Sequence, residues 1–529
     1  MSAENKNTSL KAQSAWLLFA KIAGFVLSFL LPLVVVRVLA KSEYGVYQQA
    51  FRVLVVAVGV LPIGISMSAF YYLSRDEAKR ASTIFNILIF NFIVGGLAFA
   101  FLFLFPQSLG NLMTSNEIGK LAPIIGFAIW VWLFSTFLEV IAVANNESVL
   151  ATGFIIFAQF TKSTFMILAV LVFGTVESLI WGAIVQGLLQ TTVLMVYVNK
   201  RFPRFWTTFN TKFFKEQLIY AVPLGIAGIL WMLQTEVHYF FVSHRFSDTE
   251  YAIYAAGCFQ LPLVTMLAES VVSVLIPKMS ALQLKGDTRE MVRITFRAMQ
   301  TLALLFLPIY VFLFITAELF ISTLFTNRFE SSVSIFRVFL TLLPFHIFIS
   351  DPLFRVFQKM GRYLVLARIV SGAILVAWLF YGIKHYSLTG IIAIVVFVRI
   401  TEMILAELFI FSRIGVTKYE LKSLYKIVLT GFAALIAGLI MFGAAKYVQA
   451  PVYEFVLHTV GNVYPPLKNT LREFIAGVFA LSVLALIYGI AYFGFVTAFS
   501  AMNESDKRTI TNLFNKVLGR FLSIRGSEA

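Results

Sequence analysis

Six basic residues lie inside apolar runs long enough to be membrane helices: Lys21, Arg52, Lys162, Arg337, Arg368 and Arg399. A charge at the centre of a bilayer costs about 2.5–3.5 kcal/mol on insertion scales, so it faces a partner or a wet cavity. Arg52, Arg337 and Arg368, like Lys21, fall within about two turns of a helix end, where a long side chain also reaches the interface by snorkelling. Lys162 and Arg399 fall near the centres of their runs, and their heads reach water only through a cavity. Glu402 follows Arg399 by three residues on the same helical face. Two readings of it stand. It neutralises Arg399 as a local ion pair, or it alternates between Arg399 and a proton and so couples an ion gradient to movement of the bundle. Glu236, Glu269 and Asp351 are further candidates for ion coupling. Asp351 also precedes Arg355 by four residues near a helix end, where a structural pair is expected.

Other chemistries lack their residues. His238, His244, His346, His385 and His458 show no metal-ligand spacing and no His-Glu-x-x-His run. There is no phosphate-binding Walker loop, no dinucleotide fingerprint and no Asp-x-Asp pair. The single cysteine, Cys258, excludes an internal disulfide and a thiolate metal cluster. The longest outward loop, about 447–471, is too short to fold as a catalytic domain. The expectation is a binding and transport protein with no catalytic residue, no metal site and no cofactor beyond H+ or Na+ coupling.

The elements that must position these charges follow from composition. Of 529 residues 60% are apolar and 13% charged, with mean hydropathy +0.87, so lipid serves as the solvent. Backbone groups in lipid must pair internally, and runs of about twenty continuously apolar residues do so as helices. The spacing predicts an all-α polytopic protein of about fourteen transmembrane helices. Six lie at about 12–36, 46–70, 82–105, 121–143, 150–173 and 177–198. Six more lie at about 216–243, 251–276, 294–316, 332–356, 363–383 and 388–411, and two at about 424–446 and 472–499. The expected organisation is a six-helix lobe (1–198), a basic connector (199–215), a second six-helix lobe (216–411), two further helices (424–499) and an amphipathic tail (500–529). In that tail Leu513, Phe514, Val517, Leu518 and Phe521 follow helical spacing, as in helices that lie on a membrane surface.

Basic residues fall unevenly between alternate loops, 27 on one side and 9 on the other. The richer side is expected to be cytoplasmic, which places both termini there and the chain in the cytoplasmic (inner) membrane. The net charge of +16 is then topology and attraction to anionic headgroups, not a nucleic-acid footprint.

One stretch recurs. Lys41-Ser42-Glu43-Tyr44-Gly45-Val46-Tyr47 stands between two apolar runs, and so does Asp248-Thr249-Glu250-Tyr251-Ala252-Ile253-Tyr254, with the glutamate, both tyrosines and the small residue in register. An echo at that distance marks equivalent corners of a duplicated bundle. Ala252 in place of Gly45 bears on loop geometry.

The first corner, with Arg37-Val38-Leu39 before it, resembles the polysaccharide-transporter branch of the multidrug/oligosaccharidyl-lipid/polysaccharide exporter superfamily, whose members include Wzx-type O-antigen flippases. Length, the six-six-two helix scheme and cytoplasmic termini are similar along nearly the whole chain. The resemblance implies a V-shaped pair of lobes whose cavity opens alternately to each membrane face. It further implies a polyprenyl-diphosphate-linked oligosaccharide as substrate, flipped for surface polysaccharide (O-antigen, lipopolysaccharide) biosynthesis, and association with polymerase and export proteins. A diphosphate in a low-dielectric cavity needs positive charge. Lys162 and Arg399 are expected to grip it, with Arg52 and Arg337 nearer the exit, by depth and charge and not by a shared motif. Glu402, Glu269 and Glu236 are the expected ion-coupling acids. A cation-coupled exporter of small amphipathic molecules, like the multidrug exporters of that superfamily, is the alternative, and it is expected to carry uncompensated acids. A membrane-embedded glycan polymerase or ligase is expected to carry a long outward loop with clustered polar residues.

Overall fold

A computed structural model describes residues 29–502, apart from 76, 208, 350, 466 and 467, and every regular element in it is helical. Lys21 and the amphipathic tail lie outside the described residues. In chain order the helices are α1 (Phe29–Val38), α2 (Lys41–Val60), α3 (Ser68–Arg75), α4 (Arg80–Leu104), α5 (Pro106–Met113), α6 (Asn116–Ser135), α7 (Phe137–Ala144), α8 (Ser148–Phe173), α9 (Val176–Arg201) and α10 (Thr211–Arg245). Then come α11 (Asp248–Gly257), α12 (Pro262–Leu284), α13 (Thr288–Ile315), α14 (Ala317–Phe325), α15 (Val333–Leu340), α16 (Asp351–Val356), α17 (Gln358–His385), α18 (Leu388–Ile414), α19 (Lys418–Lys422), α20 (Tyr425–Val463) and α21 (Asn469–Ala498). The chain packs as two compact units: Met1–Phe259 with Arg368–Val395, and Gln260–Ala367 with Val396–Ala529.

Eleven helices among the described residues are long and apolar enough to cross a membrane, or twelve if the bent pair α2 and α3 is one span. The difference from fourteen has local causes. The expected first helix, 12–36, falls largely outside the described residues. The expected helix 332–356 is broken into α15, a short 3-10 turn (Leu343–Ile347) and α16, where Pro344 and Pro352 each remove a backbone donor. The expected helix 46–70 bends by 52° after Val60, because Ile63 and Gly64 both take positive φ. In the other direction, α20 runs unbroken for 39 residues, so most of the expected outward loop 447–471 is helix.

The duplicated corners are not loops. Each opens a helix, α2 and α11, and each residue of the shared pattern has a mechanical role there. Glu43 accepts the Ala40 N–H at 2.8 Å, and Glu250 completes a reciprocal capping box with Ser247. Tyr44, Tyr47, Tyr251 and Tyr254 are buried. The two helices pack directly on each other inside the first unit, and a β-carbon on Gly45 would stand 1.9 Å from the Asp248 carbonyl oxygen. The small residue of the pattern therefore serves backbone approach, as small residues do where membrane helices cross. Asp248 also clasps the junction: its carboxylate accepts from Gln49 at 3.1 Å and from Ser115 at 3.2 Å.

Elsewhere in this unit α3 with the short 3-10 turn before it (Ile65–Met67), α4, α7 and α9 bury Ile65, Leu73, Ile84, Ile87, Leu138 and Leu194 in one apolar cluster. In the second unit α13, α14, α20 and α21 pack around Ala434, Ala437, Met441 and Leu484. The long helices also keep large apolar side chains exposed, such as Leu97, Val172 and Leu439, as lipid-facing surfaces do.

Gly45→Ala is expected to force α2 from α11 and lower stability by about 1–3 kcal/mol, as overpacking does. Gly153→Ala, with nothing within 4 Å of the added carbon, is expected to leave stability unchanged or slightly raised. Thermal unfolding of the detergent-solubilised chain distinguishes the two.

Candidate functional site

The buried charges of the first unit form two groups. The first is built by the α2–α11 crossing. Arg52, on α2, extends to Glu236 of α10, with Nη1 2.6 Å from Oε2 and side chains only 20% and 12% exposed. Its guanidinium lies 3.7 Å from the centre of the Tyr239 ring, and Tyr251 of the second corner is hydrogen-bonded to it. Beside this pair Tyr254 and the buried His238 Nδ1 share a hydrogen bond of 2.7 Å. Arg52 and Glu236, which sequence assigned to different tasks, are the two ends of one ion pair 184 residues apart. Excellent geometry and an added ring contact are what a buried pair needs to offset desolvation.

The second group centres on Lys162 of α8. Its ammonium lies 4.6 Å from the centre of the Trp132 ring, and Trp132 is itself fixed by donating Nε1–H to the Ala183 carbonyl at 3.0 Å. Glu139, on α7 just past the break at Thr136, acts electrostatically on Lys162. Among the described residues no carboxylate lies within 4 Å of the Lys162 nitrogen. Its charge is thus met by a ring face and by a carboxylate at longer range.

In the second unit Arg399 and Glu402 lie on one face of α18, 3.9 Å apart and 18% and 12% exposed. The separation is at the limit of an ion pair and beyond the hydrogen-bond distance of a tight one. His346, in the broken 343–347 turn, faces the Arg399 charge, and its Nδ1 lies 2.8 Å from the Leu342 carbonyl oxygen. Arg337 is placed differently: it is 35% exposed, bonded to Glu318 at 3.2 Å and to the Phe314 carbonyl at 3.3 Å. Glu269 is exposed on α12. Arg368 is half-buried on α17, and its backbone carbonyl accepts from Gln234 at 2.8 Å.

Two acids escaped sequence reasoning: Glu139, and Glu407 on α18, which is 3% exposed. The signal was there to be read. Each is an acid inside an apolar run with no base three or four residues away on its own helix, so neither has the local neutralisation open to Glu402. Among the described residues no group of three or more histidines, cysteines or acids is placed to hold a metal ion.

The chain is similar to known proteins both in sequence and in fold. The family described as polysaccharide biosynthesis protein matches residues 34–334, more than half of the chain. No curated protein matches by sequence. Among solved structures, the lipid II flippase MurJ in an inward closed conformation is similar over 90% of this chain and 98% of its own, with TM-score 0.64 and 15% identity. A transporter of the MOP superfamily from Pyrococcus furiosus, described as having a binding pocket of reversed polarity that suggests a different function, is similar over 77% of this chain and 96% of its own, with TM-score 0.56 and 14% identity. An outward-facing multidrug resistance transporter of that superfamily is similar over 77% and 97%, with TM-score 0.56 and 15% identity. At these identities the likeness is one of fold.

A double-mutant cycle tests the Arg52–Glu236 pair. Arg52→Met alone and Glu236→Leu alone are each expected to cost about 3–5 kcal/mol, because each strands a buried charge, while the double variant recovers most of that loss. Additive losses in chemical or thermal unfolding contradict a coupled pair.

Proposed function

We propose that this chain, which belongs to the polysaccharide biosynthesis protein family, is an alternating-access flippase for a lipid-linked oligosaccharide carried on a diphosphate. The proposal places it in the cytoplasmic membrane with both termini cytoplasmic, acting before polymerisation of a surface polysaccharide such as an O-antigen, and alongside polymerase and export proteins. Its support is the family membership, a fold shared with a lipid II flippase and the state of the buried bases.

One observation carries the reading: Lys162 sits within a candidate span with its ammonium on a tryptophan face and no carboxylate within 4 Å among the described residues. A cation held that way keeps capacity for an anion, and a diphosphate offers charge-assisted hydrogen bonds to it. Arg399, with Glu402 at 3.9 Å on the same face of α18, is the base of the second unit in this proposal, because a phosphate engages planar guanidinium donors in bidentate fashion. Arg52 and Arg337 already hold carboxylates at 2.6 and 3.2 Å. In the proposal they stabilise the units, and Lys162 and Arg399 receive the headgroup. Glu402, released when Arg399 turns to phosphate, is the acid proposed to take up a proton and couple the cycle to the gradient.

The alternative is a cation-coupled exporter of small amphipathic molecules. The Glu139 carboxylate, held away from direct contact with Lys162, favours it, because an acid of that kind attracts cationic cargo.

In proteoliposomes, flipping of a fluorescent polyprenyl-diphosphate oligosaccharide is expected to fall tenfold or more in Lys162→Ala and in Arg399→Ala, since a charge-assisted bond contributes about 1.5–3 kcal/mol. Membrane abundance should be unchanged and Lys162→Arg largely active. Equal rates in parent and alanine variants remove these residues from the site. Glu402→Gln is expected to flip at a rate indifferent to an imposed pH gradient; a gradient response equal to the parent's contradicts the coupling role. In cells lacking the protein, a lipid-linked oligosaccharide should accumulate on the inner leaflet, whereas the exporter reading predicts no such lipid and raised sensitivity to cationic amphiphiles.

A further inference from the structure

The second unit holds a cluster of charge that the transport proposal does not use. Where α13 begins, and where α19 turns into α20, a cavity of about 480 Å³ is open on one side, a size within the roughly 300–1,000 Å³ of small-molecule sites. Arg289, Arg293 and Arg297 enter it from α13, four residues apart on one helical face and all exposed; Lys426 enters it from α20. The walls are tied together by Gln300, whose side chain donates to the Ser423 carbonyl at 2.7 Å.

The acids around the cavity are engaged with their own surroundings. Asp287 accepts the Glu290 N–H at 3.0 Å as the cap of α13. Glu420 accepts from the Thr417 N–H and hydroxyl at 2.8 Å each and acts on Arg289 only at longer range. Glu290 pairs with Arg293. Among the described residues, Arg289 and Arg297 have no carboxylate within 4 Å. Two guanidiniums at an open cavity, with a lysine beside them, make a receptor for a phosphate group, to which arginine donates in bidentate fashion.

The surface next to the cavity says which phosphate. Below Tyr425, which lines the cavity, the same side of α20 exposes Val428, Phe432, Leu435 and Leu439 at spacings of four, three and four, which is one continuous apolar face. Because α20 is a candidate span, that face runs from the cavity into the hydrocarbon. A soluble anion uses only the arginines. A molecule with a phosphate at the surface and acyl chains beneath it uses both parts. We infer that this cavity and the α20 face together form a binding site for an anionic phospholipid, its phosphate at Arg289 and Arg297 and its acyl chains along Val428 to Leu439. Basic pockets between membrane helices are a recurrent means of holding such headgroups.

Thermal unfolding of the purified full-length chain in a neutral detergent tests this, with phosphatidylglycerol, phosphatidylcholine, inorganic phosphate and polyprenyl diphosphate added separately at equal concentration. Phosphatidylglycerol is expected to raise the midpoint by several degrees, and phosphatidylcholine and inorganic phosphate to leave it unchanged. Arg289→Gln with Arg297→Gln is expected to weaken the phosphatidylglycerol effect about tenfold or more without changing the lipid-free midpoint, and Phe432→Ser to weaken it with the arginines intact. Lys212→Gln, on a surface of the first unit, keeps the parent response. Equal stabilisation by phosphatidylcholine, reproduction of the shift by inorganic phosphate, or parent-like affinity in the double variant overturns the inference. Tenfold stronger stabilisation by polyprenyl diphosphate than by phosphatidylglycerol assigns the cavity to a different lipid and overturns it as well. Should the double variant fail to fold, Arg297→Gln alone carries the same test.

Discussion

The approach of two backbones at Gly45 and Asp248 is the constraint on which the first unit depends. A hydrogen in place of a side chain lets α2 lie against the start of α11, and everything beneath the crossing follows from that distance. Tyr251 is brought to the Arg52 guanidinium, Asp248 reaches both Gln49 and Ser115, and α10 is set so that Glu236 meets Arg52 at 2.6 Å. In lipid, where apolar contact between helices gains little over contact with acyl chains, such close packing and polar pairing are what hold helices together. The two in-register corners thus brace each other.

The buried bases are met by the protein in different ways. Arg52 has a carboxylate at 2.6 Å and a ring beneath it, and behaves as structure. Arg399 has a carboxylate at 3.9 Å. Lys162 has a ring at 4.6 Å and an acid farther off. A charge removed from water must be compensated, and the compensation differs: a carboxylate in contact for Arg52, a ring face and a more distant acid for Lys162. Depth along the helix, a property of hydropathy and spacing, sets Lys162 and Arg399 apart from the rest. It says nothing of Glu236 and Arg52 belonging together.

A second principle of organisation appears at the membrane surface of the other unit. The arginines of α13 and the apolar face of α20 are contributed by elements far apart in sequence, and their adjacency joins a phosphate-sized charge to a lipid-facing stripe. Positive charge in this chain is therefore met in more than one way: by a carboxylate at Arg52, by a ring face at Lys162 and by an open cavity at the arginines of α13.

Helical class, membrane solvent, the in-register corners and the depth of the inner charges were determined by the sequence alone, because each follows from hydropathy and spacing along one chain. The broken stretch around Pro344 and Pro352 and the 39-residue α20 were less legible, since a proline is a break in one context and is tolerated at Pro451 in another. The role of Gly45, the pairing of Arg52 with Glu236 and the ring under Lys162 were decided only by tertiary structure. The physical reason is that each depends on a distance between segments separated by tens to hundreds of residues, or on the exposure that packing leaves. Periodicity gives the face on which a charge sits and the cost of burying it, but the partner that offsets this cost comes from another helix.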